Sequence, residues 1–372
     1  MKKLFLSSVG TSILTNIASK EERSKLYNNS NCIDESDCPD DIKILISNLE
    51  IKANKLFETG YNFRRFSAEL NGIFGFYENT HHHTEDLHYL ITTDTYQGKK
   101  CGEIIRNYLV SKNINAQIFT PNELTTRTKY NFEQGIKNLL KWCDETLNGF
   151  KNNGYEIIFN LTGSFKSLQG YLNTIAMFYA DKIIYIFESE KAELIEIPKL
   201  PVEIDNSIIT EYKEKILLMA AGYNYPILDV SGMPKTIIDE IEGKVFLSVW
   251  GELLWNKTKK DILTGALINL PFLSYSDEFK KLFNSATNDD KVKLQEILSK
   301  VAKILLENNG DISKLKQDGG LQYENYSNKK DETGLPIGHF RITQGDRVSC
   351  IVKDNKLLLR KFGRHDFVNN NP

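Results

Sequence analysis

Three times in the first half of this chain, a short and almost unbroken apolar run gives way to small and hydroxyl residues and then to a helical pattern. Leu4 to Val9 leads into Gly10, Thr11 and Ser12, with Asn16 just beyond; Leu87 to Thr93 leads into Asp94 and Thr95; Tyr155 to Leu161 leads into Thr162, Gly163, Ser164 and Lys166. Lys182 to Phe187 adds a further continuous apolar strand. Runs without polar alternation suit strands covered on both faces, and strands alternating with helices predict an α/β fold, a Rossmann-like doubly wound sheet. Such sheets bind ligands beyond the carboxyl ends of their strands, where helix N-termini offer unpaired N–H groups and a positive dipole end. The three turns therefore gather Gly10, Thr11, Ser12, Asn16, Asp94, Thr95, Thr162, Gly163, Ser164 and Lys166 as candidate ligand-binding residues.

The turn Asn160-Leu-Thr-Gly-Ser-Phe-Lys166 is the most informative of the three. Gly163 allows close approach to the backbone, and Lys166 adds a point charge. A plain structural turn uses the same residues, with Thr162 or Ser164 as N-cap and Lys166 on the surface. It is not a nucleotide-hydrolase P-loop, in which Lys follows the closing Gly; here Phe165 precedes the Lys. The spaced glycines of dinucleotide binders are missing too, which disfavours a nicotinamide enzyme. The set is hydroxyl-rich and acid-poor, with only Asp94 and the distant Glu188 as hard-metal ligands, so it suits a phosphodiester or purine better than a metal.

At 372 residues the chain is long for one core, and two domains plus a connector are expected: 1–200, 201–265 and 266–372. A net charge of -2 argues against a uniformly basic nucleic-acid binder, yet basic residues crowd toward the C-terminus. Five cysteines, Cys32, Cys38, Cys101, Cys143 and Cys350, show no CxxC pair and no metal-ligand spacing, so structural zinc is not expected. The apolar run after Met1-Lys-Lys is too short for a signal-peptide core, and no later run has the length a bilayer requires. A cytoplasmic protein with reduced thiols and no membrane partner is expected. His81-His82-His83 and nearby His88 sit among Asn79, Thr80, Thr84, Glu85 and Asp86 and read as a solvated loop rather than a metal site. Asn28 to Asp41 reads as a flexible insertion; a regulatory disulfide between its Cys32 and Cys38 is the alternative.

Residues 201–265 carry helical patterns at Ile208 to Ala221 and Ser248 to Ile262, and read as a mostly helical connector with Trp250 and Trp255 buried. From Leu270 the pattern is a short strand-like start, helices at Glu278 to Asn284 and Asp290 to Asn308, and a polar stretch from Leu321 to Gly334 that wraps the surface. Three short strands follow, His339 to Ile342, Val348 to Val352 and Lys356 to Lys361, joined by tight turns. This predicts an α+β domain with a small antiparallel sheet and helices on one side. Alternation sets His339 and Arg341 on one face, with Arg347 starting the neighbouring strand and Arg360, Lys361, Arg364, His365 and Asp366 on the last strand and its exit. Arginines that bind flanking phosphates and stabilise charge at phosphorus, with a histidine to move protons, are what metal-free RNA cleavage needs. A solvated basic edge that blocks strand aggregation is the structural alternative.

Taken together, Ser-Val-Gly-Thr-Ser-Ile-Leu-Thr-Asn near the start, the stretch from Ala68-Glu69 to Thr95, and Asn-Leu-Thr-Gly-Ser-Phe-Lys with the strand closing at Glu188 resemble the CRISPR-associated CARF domain. The similarity covers roughly residues 1 to 200 and extends to Leu247 to Trp255. It implies a homodimer whose paired sheet ends cradle a cyclic oligoadenylate activator, with cyclic tetra-adenylate as the expected species and no cofactor or metal. Some relatives also cleave the ring with a hydroxyl residue and a lysine at these positions, which makes Ser12 and Lys166 candidates. The family often has a second Gly where this chain has Ser164.

The last hundred residues resemble the RelE-like toxins, through Tyr275-Ser276-x-x-Phe279, His339-Phe340-Arg341, Gly345-Asp346-Arg347-Val348 and Gly363-Arg364-His365-Asp366. The resemblance implies an endoribonuclease, an mRNA interferase acting in the ribosomal A site, with Arg347, His365, Arg364, Arg341 and His339 as catalytic candidates and His365 as the proton carrier in place of a terminal tyrosine. The ribosome and mRNA are then its partners. Two alternatives stand beside it. Arg360-Lys-Phe-Gly-Arg-His365 matches the Arg-x-x-x-x-His pattern of HEPN ribonucleases, which requires an all-helical domain, and a non-enzymatic sensor would use the basic residues only for contact.

Overall fold

The structure, a computed structural model, describes residues 1–59, 63–187 and 193–372. Glu188, the distant carboxylate considered above, lies outside the described residues. The chain divides into two compact units, Met1–Glu203 and Ile204–Pro372.

The first unit is built on β1 (Lys2–Ser8), β2 (Leu87–Ile91), β3 (Asn115–Phe119), β4 (Tyr155–Asn160), β5 (Lys182–Ile186) and β6 (Leu194–Pro198), in the order β3-β2-β1-β4-β5-β6. β1 to β5 are mutually parallel, and β6 closes the edge antiparallel to β5. Its helices are α1 (Ser12–Thr15), α2 (Lys20–Asn28), α3 (Asp40–Glu58), α4 (Ala68–Asn79), α5 (Tyr96–Ser111), α6 (Lys129–Asn152) and α7 (Lys166–Tyr179). Register sets Phe5, His88 and Ile158 on one face and Leu6, Tyr89 and Phe159 on the other. The first face packs α4, with Phe76 edge-on to Phe5 at 5.1 Å. The second packs α6, whose Trp142 meets Tyr89 at 4.9 Å and Phe119 at 4.5 Å. Cover on both faces is why these strands are continuously apolar.

Caps fix where the helices begin. Thr95 accepts from the Gly98 N–H at 3.1 Å, which starts α5 at Tyr96. The segment from Asn28 to Asp41 is tied down rather than loose: Cys38 is buried beside Ile42 and Leu45, and the Cys32 carbonyl accepts from the Tyr96 N–H at 2.8 Å. Burial pushes the Cys38 thiol up to about 12.

The second unit opens with α8 (Ser207–Glu211), α9 (Lys213–Ala220), β7 (Tyr225–Pro226), β8 (Ile238–Ile241), β9 (Lys244–Leu247) and α10 (Val249–Thr264). The three strands form a sheet ordered β7-β9-β8, which the helical patterns around them hide. Glu242 and Gly243 both have positive φ, 52° and 75°, and so make the two-residue turn that fits a twisted hairpin. The unit continues with β10 (Leu273–Tyr275), α11 (Asp277–Ser285), α12 (Asn288–Glu307), β11 (Glu324–Lys330), β12 (Pro336–Arg341), β13 (Asp346–Lys353), β14 (Lys356–Arg364) and α13 (His365–Asn370). Its second sheet is ordered β10-β14-β13-β12-β11, antiparallel except for the β10–β14 pair. One core runs through the unit, from Leu217 and Trp255 to Leu298, Val348 and Leu359, so residues 204–265 share it with the C-terminal sheet. β11 lies in the polar stretch expected to wrap the surface; it is a mostly exposed edge strand, and its Lys329 and Lys330 suit an unpaired edge.

Candidate functional site

The first candidate site lies between β1 and β4, where the strand order reverses and a crevice opens at the carboxyl ends. A buried carboxylate organises it. Glu69, at the start of α4, is fully buried and accepts from the Gly10 N–H at 2.7 Å, the Ser12 hydroxyl at 3.0 Å and the Ser67 hydroxyl at 3.0 Å. Burial pushes its carboxyl above the usual range, opposed by those hydrogen bonds. A Cβ on Gly163 would fall 2.2 Å from Glu69 Oε1, so only glycine lets the β4 turn close on this carboxylate. Asn160 locks the turn from beneath: it donates to the Ser7 hydroxyl and the Glu69 carbonyl, and accepts from the Thr162 hydroxyl at 2.8 Å.

Gly10, Ser12, Thr162, Gly163 and Ser164 thus converge around Glu69. Ser164 has φ of +89°, a left-handed conformation that favours glycine, and its buried hydroxyl has no partner among the described residues. Lys166 begins α7, exposed and without an ion pair among the described residues. Thr11 precedes α1 and Asn16 caps its C-terminus. Asp94 and Thr95 follow β2, on the other side of β1, and hold local structure: Asp94 pairs with Lys99 at 2.8 Å and accepts from the Glu123 N–H at 2.9 Å, while Thr95 caps α5.

The second candidate site is one face of the C-terminal sheet. Pairing places Arg341 opposite Arg347 and His339 opposite Ser349, so these four share a face, while Phe340 and Val348 point into the core. Arg347 donates to His339 Nε2 at 2.7 Å, and the Tyr326 ring stands edge-on to His339 at 4.2 Å. Burial, reinforced by the Arg347 charge, holds His339 below its ordinary range and therefore neutral. Burial likewise pushes Tyr326 up to about 12. Tyr326 donates to Asn369 Oδ1 at 2.6 Å, and the Asn369 amide meets His365 Nε2 at 3.0 Å. His365 Nδ1 contacts Asp366 at 2.9 Å. Arg364 is largely exposed, with Nε 3.8 Å from Asp346.

His339 and Arg347 therefore meet directly, with Arg341 beside them, and His365 joins through Asn369 and Tyr326. Residues 360 to 364 lie on β14 and His365 opens α13, so the all-helical frame required by the Arg-x-x-x-x-His pattern is not formed. Sequence reasoning missed Glu69 as a clamp, although its motif was seen, and it missed Tyr326 and Ser349. Tyr326 sits in a polar stretch with no strand alternation to flag it.

Residues 64–200 match a family described as CRISPR-associated protein (Cas_APE2256). The match lies wholly within the first unit and includes Glu69, Asn160 and Gly163. That similarity supports a CRISPR-associated protein. Among the described residues, no helix is long and apolar enough to cross a membrane, and no group of three or more His, Cys, Asp or Glu side chains is placed to hold a metal ion.

Proposed function

We propose that this chain is a CRISPR-associated endoribonuclease: cyclic oligoadenylate binds the first unit's crevice, and the second unit cleaves mRNA on the ribosome. The observation that carries the catalytic half is the Arg347–His339 pair on a sheet face shared with Arg341. In such cleavage the 2′-oxygen attacks phosphorus and the 5′-oxygen leaves, so negative charge builds on the non-bridging oxygens. Arg347 and Arg341 are positioned to stabilise that charge, and His365, oriented by Asp366, to carry the proton. Arg364, extended into solvent, suits a flanking phosphate of the bound strand.

For the sensing half, the hydroxyls of Thr162 and Ser164 beside Gly163 suit phosphodiester oxygens, with Lys166 as the nearby cation. A homodimer would pair two such crevices around a symmetric ring. The Ser12 hydroxyl is already engaged as a donor to Glu69, which favours ligand binding over ring cleavage. A ligand activates only through its differential affinity for the active state.

The test is to incubate the protein with translating ribosomes and with naked RNA, each with and without cyclic tetra-adenylate, and to map the ends. Cleavage is expected only on ribosomes and only with the ligand, and Arg347→Ala should lower it by about 100-fold or more. Equal cleavage of naked RNA, or full activity in Arg347→Ala, would overturn the reading.

A further inference from the structure

Three hydrogen-bond donors are buried without partners on one patch of the C-terminal sheet. Because Arg347 donates to Nε2 of His339, the proton of the neutral ring sits on Nδ1. Among the described residues, His339 Nδ1, Arg347 Nε and the Ser349 hydroxyl have no partner in hydrogen-bonding geometry, although the Tyr326 hydroxyl interacts with the Arg347 guanidinium and the Glu324 backbone with the His339 ring. His339 is 3% and Ser349 0% exposed, and the two face each other across β12 and β13. Buried polar groups are nearly always paired, so three orphans in one place call for an explanation. Arginine and the Nδ1–H can only donate, and the serine can donate too. The neighbouring carboxylate, Glu324, lies 3.5 Å from Nε2 and is itself mostly exposed. What the patch lacks is an acceptor with several oxygens.

α13 covers the patch. Gly363 pairs with Arg347, and a Cβ on Gly363 would touch the Phe367 ring at 3.4 Å, so the helix begins over β14 and β13. It reaches β11, where the Asn369 side chain accepts from Tyr326 at 2.6 Å and its carbonyl accepts from the Lys329 ammonium. Val368 is fully buried beneath it. A helix of six residues has little stability of its own and stays in place only through such contacts.

We infer that the part of α13 beyond His365, from Phe367 to Asn370, is a displaceable lid over a phosphate subsite formed by His339, Arg347 and Ser349, and that an RNA phosphodiester takes up the three donors when it lifts while His365 stays at the end of β14. This makes Ser349 a further binding residue. The identity of the anion rests on the ribonuclease reading above; the occlusion rests on the geometry alone.

The test compares the full chain with Val368→Glu, which puts a charge into the buried contact, and with Asn369→Ala, which removes the tether to Tyr326. His339 is labelled with diethyl pyrocarbonate and read by mass spectrometry, and affinity is measured for a 2′-O-methyl oligoribonucleotide that cannot be cleaved. Labelling and affinity should each rise about tenfold in Val368→Glu and less in Asn369→Ala, as expected when the competent state is otherwise rare. Adding Ser349→Ala to Val368→Glu should cancel part of the affinity gain. Unchanged His339 labelling in both variants, with a native melting profile, would overturn the lid. Faster labelling and tighter binding without ribosomal cleavage would keep the lid and remove the ribonuclease reading.

Discussion

The Glu69 clamp of the first unit and the sheet face of the second hold buried polar groups in opposite ways. Around Glu69, donors and acceptor are matched: Gly10, Ser12 and Ser67 all give to one carboxylate. Around His339, three buried donors have no partner in hydrogen-bonding geometry among the described residues, and the nearest carboxylate, Glu324, is mostly exposed. The first arrangement fixes the backbone of the turns after β1 and β4 against α4. The second is costly, because a buried unsatisfied donor forfeits about 1–3 kcal/mol. The same carboxylate clamp leaves only the Ser164 hydroxyl of its turn unpaired among the described residues, whereas three donors are unpaired around His339.

That contrast can be broken by mutation. Gly163→Ala would drive a methyl into a carboxylate fixed by three donors, and should cost about 3 kcal/mol in urea unfolding of the first unit and abolish cyclic tetra-adenylate binding. A variant that melts and binds like the parent would show that the Glu69 clamp is not rigid. Acid gives the next largest effect. Burial lowers His88, stacked on Phe5 at 4.5 Å, to about 3. The unfolded chain then binds the extra proton below about pH 6.5, so the stability contributed by a neutral His88 is present above that pH and is lost as pH falls toward 3. The loss should reach about 2 kcal/mol at pH 5. His88→Phe, which keeps the stack on Phe5, should flatten that slope, and a parallel slope in both proteins would assign the acid sensitivity elsewhere. The smallest effect carries the sharpest sign: Ser349→Ala removes an unpaired buried hydroxyl and should raise the melting stability of the second unit by about 1 kcal/mol while weakening its nucleic-acid binding. Destabilisation instead would mean that the Ser349 hydroxyl is satisfied after all.

Much of the first unit was legible because its signals are local. β1, β4 and β5 are continuous apolar runs, and the turns after β1 and β4 meet at the switch point of the sheet. The role of Glu69 was not legible, since Gly10 lies 59 residues away and only the folded sheet brings them together. In the second unit, the short strands β12 to β14 and the shared face of His339 and Arg341 follow from alternation. β11 was hidden because an exposed edge strand does not need apolar alternation. The β8–β9 hairpin was hidden because its turn uses Glu-Gly rather than the stronger Asn-Gly signal. The covering of the patch by α13 depends on packing across four strands, which no periodicity encodes.

The pairing of β10 with β14 has a consequence for biosynthesis. On the way out of the ribosome, β10 is made long before the strand it must join: Ser276 waits 84 residues for the Arg360 carbonyl that its hydroxyl contacts. β14 also inserts between β10 and β13, so this sheet cannot close while the chain is still being extended through residue 360. Contacts so distant in sequence form late and slowly. The arginine-bearing face is then completed only once residue 360 has been made, well after β10, α11 and α12 are available to fold.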